Sequence, residues 1–172
     1  MILDALLAFI PIGSPLTVTS AAVASPNIID LSGAGLGVTP PNIWGAPTAT
    51  GQSPTVFGAP DAMGVGGARP ELNIVTGTAA WAGGTSLNVA LQGAIDNGSN
   101  QPSTWNTFVE SGAIVTANLT ASLVIFRCPW LPPFPASLRP RFLRLLFTPV
   151  GTFPTGTIAS ALVTTFSEDR FN

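Results

Sequence analysis

A chain of 172 residues has the length of one domain, enough to bury about 70% of the surface its unfolded form exposes. Only 8% of its residues are charged, against about 25% in ordinary soluble domains, and all six cations are arginines because lysine and histidine are absent. A net charge of −2 argues against nucleic acid as a partner, since phosphate neutralisation needs a basic patch.

Met1–Phe9 (MILDALLAF) suits either a short helix or an apolar strand. The uncharged stretch Ala5–Ile29 is long enough to span a bilayer. Pro11, Gly13 and Pro15 interrupt it, however, and the first cation is Arg69, so it reads as neither a membrane helix nor a secretory signal. Leu16–Ser20 and Asn27–Leu31 read as strands. From Ser32 to Pro70 the composition turns to glycine, proline, alanine and threonine, which predicts a long loop with Trp44, Phe57 and Met63 as apolar anchors.

Strand patterns resume at Glu71–Thr78 and at Ser86–Ala94, where Leu87, Val89 and Leu91 alternate with Asn88, Ala90 and Gln92. Asp96-Asn97-Gly98-Ser99 is a turn signal, because Asn and Gly tolerate the left-handed backbone that hairpin turns require. Trp105–Glu110 and Leu119–Phe126 are the next predicted strands. Pro129–Pro135 is held extended by its prolines and presents Trp130, Leu131 and Phe134. Pro140–Phe166 is the most legible block: apolar Phe142–Phe147 and alternating Thr157–Val163 predict a pair of core strands forming a hairpin, with Pro149, Gly151, Pro154 and Gly156 in its connection.

Eighteen glycines and 17 prolines make up about a fifth of the chain and disfavour helices. About eight strands without a long helix predict an all-β fold, a jelly-roll-like antiparallel β-sandwich with long irregular loops, in a single domain spanning 1–172.

Without histidine no Ser-His-Asp or Cys-His arrangement is possible, and without lysine there is no Walker loop or Schiff base. Cys128 stands alone, so neither an internal disulfide nor a cysteine zinc site follows, and no cofactor is implied. Asp96 and Glu110 could form a glycosidase dyad or help hold calcium. The plainer reading makes Asp96 a turn cap and Glu110 a strand end. Asn97-Gly98-Ser99 and Asn118-Leu119-Thr120 match the glycosylation sequon. Trp81, Trp105 and Trp130 could line a sugar platform, although tryptophans in a sandwich usually serve cores and interfaces. The sparse charge leaves two surfaces open, one hydrated through Ser, Thr, Asn and Gln, the other buried in an assembly.

Three blocks, LQGAIDN at Leu91–Asn97, WNTFVESGAI at Trp105–Ile114 and PRFLRLLFTPVGTFPTGTIASALV at Pro140–Val163, together with the opening MILDALLAF, resemble the capsid cement (decoration) proteins of tailed bacteriophages. The C-terminal block is the specific one, and the Ser32–Pro70 and Pro129–Pro135 stretches depart from the family. The resemblance implies a jelly-roll-like sandwich, made in the bacterial host cytoplasm, that binds the outer surface of an icosahedral phage head. It implies no catalysis, and charge and hydropathy argue for no nucleic-acid or membrane partner. The expected partners are the major capsid protein and the chain itself, as a homodimer or another homo-oligomer. Candidate contacts are Ile2, Leu3, Leu6, Leu7 and Phe9 in the N-terminus, Trp44 and Phe57 in the long loop, and Trp130, Leu131 and Phe134 in the proline run.

Overall fold

The computed structural model describes residues 8–30, 69–129 and 140–166. Their strands are β1 (Ala8–Ile10), β2 (Leu16–Thr17), β3 (Val23–Ala24), β4 (Ile29–Asp30), β5 (Arg69–Thr76), β6 (Ser86–Ala94), β7 (Asn106–Glu110), β8 (Ile114–Val115), β9 (Val124–Pro129), β10 (Phe142–Val150) and β11 (Thr157–Phe166). One 3-10 turn, Thr116–Asn118, interrupts them. No helix among the described residues is long and apolar enough to cross a membrane.

The strands form two antiparallel sheets. The first has the order β1-β11-β5-β9, with β2 pairing β11 further along; the second has the order β3-β10-β6-β7, with β4 joining β10 and β8 joining β6. The short pairs β1/β2, β3/β4 and β7/β8 each occupy one strand position, leaving four positions per sheet. Followed in order, the chain alternates between sheets except at β6 and β7, which pair directly. This is the strand order of a jelly roll, and the fold is an all-β sandwich.

Alternation builds the core. On β10, Leu143, Leu145 and Phe147 are fully buried while Arg144, Leu146 and Thr148 are half-buried on the outer face. Leu87, Val89 and Leu91 of β6 face the same interior, met from the other sheet by Phe9, Ile10, Leu72, Ile74, Ile158 and Val163. Burial of aliphatic side chains of this size contributes about 1.5–3 kcal/mol each before entropy is counted.

The expected hairpin at Pro140–Phe166 is not formed. β10 pairs β6 along Phe142–Val150, whereas β11 pairs β5 along Ile158–Phe166. The connection therefore crosses from one sheet to the other, and its physical reason is Phe153. That ring is fully buried and meets Trp81 edge to face at 5.0 Å between centroids and 68° between planes. A Cβ on Gly84 would overlap the Phe153 ring, so the loop before β6 must carry glycine there. Trp81 in turn donates its indole N–H to the Thr157 carbonyl at 3.1 Å. A two-residue turn would leave no side chain to fill this end of the sandwich.

Smaller corrections have local causes. The predicted Leu119–Phe126 strand begins only at Val124. Leu119 is instead a buried loop residue, with its N–H given to Thr116 and its carbonyl taking the Trp81 N–H. β1 settles Ala8–Ile10 as strand, and β5 begins at Arg69, inside the stretch predicted as loop. Two-residue β3 and β8 are too short to leave a readable pattern.

Candidate functional site

The polar chemistry of the described residues gathers on the outer face of the second sheet and at one end of it. Arg141 stands immediately before β10, its N–H donating to the Ala94 carbonyl at 2.9 Å. The guanidinium then forms a fork: Nε donates to Asp30 Oδ1 at 3.0 Å and Nη2 to Asp30 Oδ2 at 2.9 Å. Nη1 pairs with Asp96 Oδ2 and donates to Asn100 Oδ1 at 2.8 Å. The cation also lies 4.8 Å from the centroid of the Phe142 ring. Hydrogen bonding to Asp30, outweighing burial, pushes the Arg141 pKa above its ordinary value. One arginine thus ties β4, β10 and the turn after β6 together, which a bidentate guanidinium can do and an ammonium cannot.

The turn is the one expected from sequence. Asp96 Oδ1 accepts the Gly98 N–H at 2.9 Å and Asn97 Oδ1 accepts the Ser99 N–H at 2.8 Å. Gly98 at φ +89° and Asn100 at φ +58° supply the left-handed residues. Asp96 is therefore a turn cap and an ion-pair partner together.

A second cluster lies along the face. Arg144, opposite Gln92 in the ladder, donates from Nε to Gln92 Oε1 at 2.9 Å and stacks 4.3 Å above the Trp105 ring. Gln92 Nε2 continues to Thr107 Oγ1 at 3.1 Å. Burial lowers the Arg144 pKa, and the amide oxygen together with the indole face is what lets a cation sit in a largely apolar strand. At the far end, Asn88 Nδ2 donates to Glu110 Oε2 at 3.2 Å and Ser111 Oγ to Asn88 Oδ1 at 3.3 Å. Where β6 and β7 leave the sandwich, Gly93, Ile95, Thr104, Asn106, Phe108 and Pro140 line a groove of about 420 Å³.

Asp96 and Glu110 are not a dyad. Glu110 is in register with Ala90, and the four residue steps from there to the end of β6 already span about 13 Å, beyond the carboxylate spacing of either glycosidase mechanism. No cluster of three or more His, Cys, Asp or Glu occurs among the described residues. Cys128 is buried, and burial with the nearby Glu71 charge pushes its thiol up to about 11, the opposite of an activated nucleophile.

Nor do Trp81 and Trp105, the two described members of the expected sugar platform, lie together. Trp81 is buried against Phe153, and Trp105 lies under Arg144 on a different face. Of the contact candidates, Phe9 is a correction: it is fully buried beside Ile10 in the core, because β1 hydrogen-bonds to β11 and turns that ring inward. Ile2, Leu3, Leu6, Leu7, Trp44, Phe57, Trp130, Leu131 and Phe134 lie outside the described residues. Sequence reasoning missed Asp30, Gln92 and Asn100 as arginine partners. An arginine in an apolar strand signals that some partner exists, but a partner 111 residues away in the chain leaves no local mark.

No protein-family model matches the chain, and no curated protein matches it.

Proposed function

We propose that this chain is a non-enzymatic structural protein of a virion, a capsid cement or decoration protein. It binds the outer surface of an icosahedral phage head and strengthens the contacts between major capsid subunits, acting as a homodimer there. The observation that carries the reading is the outer face of the second sheet. There the half-buried Leu146 lies among polar groups that already have partners within the fold, Arg141 with Asp30 and Asp96, Arg144 with Gln92 and Trp105, Asn88 with Glu110, while Ala90, Ala94 and Phe142 are already buried by their neighbours. Covering such a face leaves few charges without a partner, and the desolvation penalty that weakens polar interfaces is correspondingly small.

Two further points support it. The block that resembles the cement proteins, Pro140–Val163, supplies the central strands of both sheets, so the likeness covers the scaffold and leaves the loops free to differ. The sequence, with neither histidine nor lysine, also withholds the imidazole that serves most often as acid or base near neutral pH and the amine of Schiff-base chemistry. A sugar-binding sandwich on a virion surface is the weaker reading, because Trp81 is in the core and Trp105 is covered by an arginine.

The test is binding to heads prepared without the protein. The chain should pellet with mature heads and raise the temperature at which they open, since a ligand of the assembled state stabilises it by mass action. Leu146→Glu, on the half-buried outer face, should fold normally and lose pelleting. If the unaltered chain neither pellets nor shifts head melting, the proposal is wrong.

A further inference from the structure

Asn97-Gly98-Ser99 is an exposed turn in which the side chains of Asp96 and Asn97 accept the backbone N–H groups of Gly98 and Ser99. We propose that Asn97 is a self-modification site, whose side-chain amide is lost in the folded protein through attack by the Gly98 backbone nitrogen. In this reaction the Gly98 nitrogen bonds to Asn97 Cγ, the Cγ–Nδ2 bond breaks and ammonia leaves, carrying the proton that Gly98 gives up. The cyclic imide that results is opened by water, at one carbonyl to aspartate and at the other to isoaspartate.

Each requirement of the first step has a group in place. The nucleophile's N–H donates to Asp96 Oδ1 at 2.9 Å, so a carboxylate stands where the proton must go. The electrophile's oxygen, Asn97 Oδ1, accepts the Ser99 N–H at 2.8 Å, a donor aimed at the atom on which negative charge develops. The ring closed by that hydrogen bond contains both reacting atoms, Asn97 Cγ and the Gly98 nitrogen. Steric room is supplied by Gly98, around whose absent Cβ nothing lies within 4 Å. Of the other described asparagines, those at 27, 73, 88, 106 and 118 are followed by Ile, Ile, Val, Thr and Leu, whose branched side chains crowd the approach, and Asn100 by Gln, which still carries the side chain that Gly98 lacks.

The surroundings hold this arrangement still. Arg141 occupies the other oxygen of Asp96, which fixes the carboxylate with Oδ1 turned to Gly98. Asn97 N–H donates to the Gln101 carbonyl at 3.0 Å and Ser103 N–H to that of Ile95 at 2.9 Å, closing the loop below. Conversion places a new negative charge beside the Asp96–Arg141 pair, and the isoaspartate form lengthens the backbone of the turn by one atom.

The experiment follows the folded full-length chain and the same chain in concentrated urea, both near neutral pH. Peptide mapping by mass spectrometry reads every asparagine, and chromatography against reference peptides separates aspartate from isoaspartate. Asn97 should convert at least as fast folded as in urea, and at least about tenfold faster than the other described asparagines. Asp96→Ala should slow the folded reaction severalfold and leave the urea rate unchanged; should that variant not fold, Asp96→Asn, which keeps the bulk but cannot take the proton, replaces it. A folded rate below the urea rate, or a folded rate that Asp96 substitution leaves alone or raises, overturns the proposal.

Discussion

Phe153→Ala is the substitution that separates the observed fold from a simple hairpin at the C-terminus. In a hairpin, residue 153 would sit in an exposed connection, where substitutions usually stay within about 0.5 kcal/mol. In the jelly roll its ring is fully buried, edge-on to Trp81 at 5.0 Å, with Gly84 and Gly156 against it. Large-to-small changes of Phe in a core cost about 3–5 kcal/mol, the upper part of the range applying where the walls cannot collapse. Here the walls are glycine backbone pinned by hydrogen bonds, Gly84 N–H to the Thr152 carbonyl at 2.7 Å and the Val18 N–H to that of Gly156 at 2.8 Å. We therefore expect a loss of about 4 kcal/mol, a large part of the 5–15 kcal/mol that holds a typical domain together. Equilibrium urea unfolding followed by tryptophan fluorescence reads it, as a lower midpoint at an unchanged slope. Phe153→Leu, which keeps much of the volume, should lose under about 1.5 kcal/mol. A loss that small for Phe153→Ala itself would refute the reasoning.

Other substitutions test the outer face and the buried thiol. Arg141→Met should cost about 2–3 kcal/mol in urea unfolding, between the values for exposed and buried pairs, because the Arg141 and Asp30 side chains are 16% and 17% exposed. Gly93→Ala should cost about 1–3 kcal/mol by overpacking, since its Cβ would strike the Phe108 ring and come within 2.7 Å of Pro140; circular dichroism melts read that loss. Cys128 should resist thiol reagents near pH 8 in the folded chain and react at once in urea. Its folded thiol ionises near 11 against an ordinary 9.0, so the unfolded chain releases the proton first, and stability is whole below pH 9 and falls by about 2 kcal/mol towards pH 11. With no lysine or tyrosine in the chain, Cys128→Ala should remove most of that slope.

Strand identity was legible where one face is apolar over several residues, at β6 with its exact bounds and nearly so at β5, β7, β10 and β11. What could not be read was which strands lie side by side. β10 carries the same buried, alternating pattern whether its partner is the next strand or β6, some fifty residues earlier, and period-two patterning specifies faces without naming neighbours. Among the described strands the pairing of consecutive β6 and β7 was legible because Asn97-Gly98 supplies turn chemistry suited to a hairpin. The connection from β10 to β11 has glycines and prolines too, but it also has Phe153, and an apolar aromatic in a turn is the mark of a loop that must close a core.

The same division holds for the polar groups. Asp96 as a turn cap follows from a hydrogen bond two residues away, whereas its pairing with Arg141 depends on the crossing of the sandwich that brings the start of β10 beside the end of β6. A jelly roll makes this the rule, since nearly every neighbour in a sheet is distant in sequence. Charged residues on its outer faces therefore find partners that only the finished topology supplies. On the described outer face of the second sheet, that matching decides what kind of surface remains: one whose ions are already engaged, where burial against another protein depends on shape and apolar area more than on new ion pairs. Leu146, flanked on that face by Arg144 and Thr148 and opposite Ala90 and Ala24, is where a single carboxylate should disturb such burial most while leaving the core behind it intact.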